Sequence, residues 1–179
     1  MLAQAGIAHV VEPPGIDESA IKAGTETAAA IATALAKAKA AAVSARRPGD
    51  WVIGSDSIVS VDGQRFDKPA DRAQAAEHLR FFSGKTLVLT SAVALARDGE
   101  DDWAVADEAR PRVRPLSGSF IEAYLDAEWP EVGYCVGVFR MEGPGVQLFE
   151  AVEGNYFTIL GMPLLPLLGA LRERGLVAA

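Results

Sequence analysis

The sequence predicts an α/β fold, and three features carry that expectation. Strand-like apolar segments alternate along the chain with segments of helical period, without repeats or an interdomain linker. An alanine-rich stretch ending near Ser44 leads into the β-rich run 51–61, WVIGSDSIVSV. Asp62-Gly63 and Asp98-Gly99 each stand between two strand-like runs, where Asp-Gly favours a tight hairpin turn. At 179 residues the chain suffices for one domain over 1–179, with room for a core of two lobes.

Taken in order, residues 1–6 read as the last turn of a helix closed by Gly6, and residues 7–11 as a strand. Residues 12–24 are loop-rich. Adjacent Asp17 and Glu18 there are a solvated pair, a helix cap or oxygen donors for a divalent metal. Thr25 or Thr27 opens the long helix, whose apolar stripe is Ile31, Leu35 and Val43. Lys39 falls in the middle of that stripe. A lysine so placed is costly unless paired. Either it snorkels to water or it is a cation aimed into a cleft. Making the stripe continuous by Lys39→Met is expected to keep or raise stability.

In the run 51–61, Gly54 permits a close backbone approach and Asp56 sets a carboxylate where the strand opens. On the return arm of the hairpin, Asp67-Lys68-Pro69 places a cation just before a proline, a context biased against helix. Folding the hairpin would bring Asp56 and Lys68 to one end of a sheet. There they are either a solvated strand end or an acid and a base suited to a metal-assisted phosphate reaction.

Residues 70–82 form a second helix with an Asp71–Gln74 capping box, core-facing Leu79 and Phe82, a solvated His78 and a closing Gly84. Strands 86–95 and 103–113 pair across Asp98-Gly99. Ser119 and Glu122 match a capping box for a helix carrying Ile121, Tyr124 and Leu125. Residues 129–145 are irregular and glycine-rich, and 146–152 and 156–160 read as strands. A last helix over 164–174 is closed by Gly175, with Arg172 and Arg174 suited to its negative end.

Composition narrows the function. The chain is 50% hydrophobic with mean hydropathy +0.15, which excludes disorder. A net charge of -7 and a pI near 4.9 exclude a protein that coats nucleic acid. A small anionic substrate would then need local cations or a bound metal. The single cysteine, Cys135, excludes an internal disulfide, and with only two histidines an all-His/Cys zinc site is excluded too. With no signal peptide and no bilayer-length apolar run, the expected location is the cytoplasm, with no membrane partner.

Four segments together resemble the Maf family of nucleoside triphosphate pyrophosphatases, related in fold to the inosine triphosphatases. They are IGSDSIV with the downstream DKP, FSGKTLVLTSAVAL, EGPGVQLFE, and the closing EGNYFTILGMPLLPLLGAL. The resemblance covers nearly the whole chain in order. It implies an elongated two-lobed α/β fold with a mixed sheet and a central cleft, often a homodimer. It also implies hydrolysis of a nucleotide to the monophosphate and pyrophosphate with a divalent cation, Mg, Mn or Co.

Residue by residue, the resemblance makes Asp56 the group that orients or deprotonates the attacking water. Glu18 in IDES becomes a metal partner alongside Asp56. Lys39 and Lys68 become substrate-binding cations. Glu142 stands where the family has Gln or Glu, and glutamate resembles the subgroup acting on 7-methyl-GTP. A carboxylate can accept from the N1–H and 2-amino edge of guanine, whereas Gln can read uracil or thymine. Three positions depart from the family pattern. Met1 falls just past the family's serine- and arginine-bearing phosphate loop and first strand, Leu87 replaces a histidine, and a lysine usual near Cys135 has no counterpart. The alternative expectation is a catalytically impaired family member that binds nucleotide or serves in septum-related interactions.

Overall fold

The computed structural model describes residues 1–24 and 27–178. Its elements run α1 (Ser19–Lys22), α2 (Ala28–Ser44), β1 (Trp51–Val61), β2 (Gln64–Phe66), α3 (Arg72–Phe82), β3 (Val88–Arg97), β4 (Glu100–Val113), α4 (Gly118–Glu128), β5 (Phe149–Glu153), α5 (Tyr156–Ile159) and α6 (Leu164–Glu173). Short 3-10 turns cover Glu131–Tyr134 and Pro144–Leu148. The strands lie in the order β2-β1-β3-β4-β5. β3 is therefore central, and its residues 89–96 are all buried, as an almost unbroken apolar run requires.

The turn chemistry acts as the sequence demands. Asp62 and Gly63 both take positive φ, 51° and 79°, the conformation of a two-residue hairpin loop. That turn sets the antiparallel register Val59↔Phe66 and Val61↔Gln64. Asp98 and Gly99 repeat the device between β3 and β4, with φ of 53° and 86°. Thr27 caps α2 by accepting from Ala30 N, whereas Thr25 lies outside the described residues. Asp71 caps α3 by accepting from Gln74 N, and Gln74 Oε1 in return accepts from Ala70 N at 2.7 Å.

The residues gather into two compact units. The first holds Met1–Ser57, Thr90–Asp107 and Gly161–Ala179, and the second holds Ile58–Leu89 and Glu108–Leu160. In the first, the buried stripe of α2 is Ile31, Leu35 and Val43, flanked by Ala32, Ala36 and Ala40. Ser44 Oγ accepts from Gly99 N at 3.0 Å, tying the end of α2 to the β3–β4 turn. Arg174, at the end of α6, pairs with Asp102 and stacks with Trp51. In the second unit, Val59, Val61, Phe66, Leu79, Phe82 and Leu87 share one core with Ile121, Leu125 and Leu148. Arg72 of α3 binds α4 through Glu122 at 2.8 Å and Asp126 at 2.6 Å.

Several local expectations give way. Residues 7–11 form no strand, and Val10 and Val11 are exposed; their backbone has no ladder partner to repay ordering as a strand. The cap of α4 is Ser117, which accepts from Phe120 N, while Ser119 is already inside the helix. Glu122, freed from capping, serves Arg72 and Arg80. Residues 156–160 begin as helix α5, because Asn155 accepts from Phe157 N and starts a helical turn. Only the second part of 146–152 is strand, since Pro144 opens a 3-10 turn that lasts to Leu148. His78 is half-buried rather than solvated, edge-on to Phe66 at 5.1 Å, and its buried Nδ1 has no hydrogen-bond partner.

Candidate active site

Gly54 and Asp56 are two residues apart on β1 and so point to one face of the sheet. At Gly54 a Cβ would lie 2.2 Å from Ala36 O and 2.7 Å from Ala40 N, so α2 rests directly on the strand backbone. That approach lets Lys39, between those alanines, reach Asp56. Lys39 Nζ lies 2.5 Å from Asp56 Oδ1 and 2.7 Å from Glu18 Oε1. Glu18, leading into α1, also binds Lys22 at 2.7 Å, one helical turn away. The lysine on the apolar stripe is thus a bridge between two carboxylates.

The cluster is largely shielded, with side-chain exposure of 19% for Lys39, 11% for Asp56 and 28% for Glu18. Burial pushes the Asp56 carboxyl above its ordinary value, against the hydrogen bond from Lys39. Burial also works to raise Glu18, but hydrogen bonds from Lys22 and Lys39 outweigh it and hold that carboxyl at about 2. Lys39 is depressed by burial and raised more by its hydrogen bonds to Asp56 and Glu18, so it stays charged. The opposite face of β1 is tied down as well. Ser55 Oγ donates to Gly161 O at 2.7 Å, and Ser57 and Ser91 share a hydrogen bond of 2.7 Å.

Of the residues singled out in the sequence, Glu18, Lys39 and Asp56 come together in the first unit. Lys68 and Glu142 belong to the second. Lys68 follows the end of β2 in an open pocket with Arg65, Phe66, Asp67, Gln74 and His78. Its charge and that of Glu142 both reach Cys135, whose thiol burial pushes up. Among the described residues no three His, Cys, Asp or Glu side chains gather into a metal-sized group. None of the helices, among the described residues, is long and apolar enough to cross a membrane. Sequence reading missed Lys22, although its spacing from Glu18 is that of a helical ion pair. It missed Glu128 too, which is 6% exposed and pairs with Arg140 at 2.9 Å, because acidic residues in a helix are ordinarily solvent-facing.

Fold and site together define an α/β protein with a lysine-bridged carboxylate pair where a helix meets a strand. The family described as Maf-like protein matches residues 1–174, and the chain belongs to it. A nucleoside triphosphate pyrophosphatase of Nitrobacter hamburgensis is 48% identical over 99% of this chain and 89% of its own length. A 7-methyl-GTP pyrophosphatase of Rhizobium etli is 47% identical over 99% of this chain and 91% of its own. A nucleoside triphosphate pyrophosphatase of Paramagnetospirillum magneticum is 46% identical over 98% and 92%.

Proposed function

We propose that this protein is a nucleoside triphosphate pyrophosphatase that converts a guanine-type nucleotide, such as 7-methyl-GTP, to its monophosphate and pyrophosphate. The observation that carries the reading is the Glu18–Lys39–Asp56 cluster, in a member of a family whose similar proteins bear that activity in their names. Water is added across the α–β anhydride: its oxygen bonds to phosphorus, the bridging P–O bond breaks and pyrophosphate leaves. Asp56 takes the proton from water, a role that suits a carboxylate made more basic by burial. Lys39 offers its ammonium to the phosphate oxygens, and Glu18 stays anionic at any working pH. Lys68 supplies further positive charge to the phosphates, and Glu142 accepts from the base edge.

A divalent cation fits the donor set. The space between Glu18 and Asp56 already takes an ammonium, and Mg²⁺ commonly uses one or two carboxylates with substrate phosphates and water for the rest. When bound by Glu18 and Asp56, Mg, Mn or Co supplies charge neutralisation at the phosphates and a more acidic water. A cytoplasmic homodimer belongs to the same reading, and sedimentation and cell fractionation test those two points. The central test is a hydrolysis screen across nucleoside triphosphates, 7-methyl-GTP included, with pyrophosphate detection and each metal in turn. Metal-dependent pyrophosphate release is the expected result. No release above background from any substrate with any of the metals overturns the reading.

A further inference from the structure

Helix α4 ends on a carboxylate that the proposed chemistry leaves unused. Glu128 is 6% exposed, and its Oε2 accepts from Arg140 Nε at 3.1 Å and Nη2 at 2.9 Å. One turn earlier on the same helix, the Tyr124 hydroxyl donates to Val138 O at 3.1 Å. α4 therefore grips the irregular segment at residues 138 and 140. The segment then folds over its own arginine. Gly143 N donates to Arg140 O at 3.2 Å, and Val146 N donates to Gly143 O at 3.2 Å. At Gly145 a Cβ would lie 2.4 Å from Arg140 O and 2.8 Å from Arg140 N, so only glycine lets the chain pass there. Within this loop Met141 is buried and Glu142 is exposed.

An ion pair with one end in water is a weak source of stability, since the Arg140 side chain stays 43% exposed while Glu128 must be desolvated to meet it. A pair of fixed geometry does restrict where the intervening chain can point. Arg140 offers its guanidinium edge through two nitrogens, and only Met141 separates it from Glu142. We propose that Glu128, acting through Arg140, is a positioning residue that aims Glu142 at the nucleotide base and so sets discrimination in favour of guanine-type bases. This rests on the reading that Glu142 accepts from the N1–H and 2-amino edge of such a base.

The experiment measures kcat and KM of the full chain with GTP and with inosine triphosphate, whose base is the same but for the 2-amino group. Glu142→Gln is expected to collapse the GTP preference. Glu128→Gln is expected to lower the GTP-to-inosine-triphosphate ratio of kcat/KM by roughly tenfold, mostly through KM, less than the about 10²-fold that a full 1 Å misplacement can cost. The double variant Glu128→Gln/Glu142→Gln should discriminate no worse than Glu142→Gln alone, because the first residue acts through the second. Arg140→Lys keeps the charge and loses the fork, so it should show a smaller loss of the same kind and serves if Glu128→Gln folds poorly. If Glu142→Gln changes the ratio while Glu128→Gln and Arg140→Lys lower only the melting temperature, the pair is structural and the proposal falls. If Glu142→Gln itself leaves the ratio unchanged, the base reading is what fails, and the positioning role goes with it.

Discussion

Lys39 shows how far one residue can be read before its neighbours are known. Helical period places it between Leu35 and Val43 on the buried stripe, and that misfit was legible. Its partners were not, because Asp56 lies on another element and Glu18 on a short turn upstream. The partners reverse the expected effect of Lys39→Met. Removing the ammonium strands a carboxylate that is 11% exposed beside a second one. Breaking one side of a buried pair costs about 3 kcal/mol or more, so the melting temperature should fall. The further change Asp56→Leu should restore most of it, and thermal denaturation of both variants measures this. Asp56→Asn keeps the shape and removes the proposed base, so turnover should drop by about 10²–10⁴ with the fold intact by circular dichroism. Glu18 adds a pH signature. Its carboxyl lies at about 2 against an ordinary 4.5, so its ion pairs stabilise the fold fully above about pH 4.5. That contribution is lost as pH falls from there towards 2. Denaturant midpoints between pH 2 and 5 should therefore decline less steeply in Glu18→Gln than in the parent chain.

At the scale of elements, the short-range signals were the readable ones. Both Asp-Gly turns, the Thr27 and Asp71 caps and the buried central strand follow from residues within a few positions of each other. The failures came where two local signals competed. Ser117 and Ser119 are both able caps, and it is Ser117 that accepts from Phe120 N. Residues 156–160 have strand-like composition, yet Asn155 starts a helical turn before any ladder forms. Gly54 joins the element scale to the site. It reads as a place of close approach, and the approach turns out to be that of α2, which carries Lys39. Gly54→Ala would press a methyl group into the backbone at Ala36 and Ala40, which cannot swing aside as a side chain can. Overpacking of this kind costs about 1–3 kcal/mol. The same displacement draws Lys39 away from Asp56, so activity should fall further than Ala substitution at the exposed Gly118 would produce. Denaturant melts and turnover of both variants give the comparison.

Across the whole molecule, the family was legible because its motifs occur in order along nearly the full chain, where any one of them alone would have meant little. The pairing of α4 with the loop before Gly145 was not legible, since nothing in the spacing of Tyr124 and Glu128 names Val138 and Arg140 as partners. The distribution of the site residues leads to a last prediction. Glu18, Lys39 and Asp56 form one cluster of ion pairs, and Glu142 is an exposed residue of the loop before Gly145. The first three are assigned to groups that every nucleoside triphosphate shares, the phosphates and the attacking water. Glu142 is assigned to the base, the one part in which such substrates differ. Changes in the two sets should then separate in the kinetics. Lys39→Ala and Asp56→Asn should lower kcat/KM for all nucleotides by a similar factor and leave their ranking intact. Glu142→Gln should reorder the ranking, lowering guanine-type substrates relative to uridine and thymidine triphosphates. Loss of a matched donor–acceptor set in a binding site can shift such a ratio by tenfold or much more. A panel of nucleotides measured on the parent chain and these variants decides the matter. Reordering by Asp56→Asn, or uniform loss in Glu142→Gln, would show that recognition of base and of phosphate is not divided between these residues.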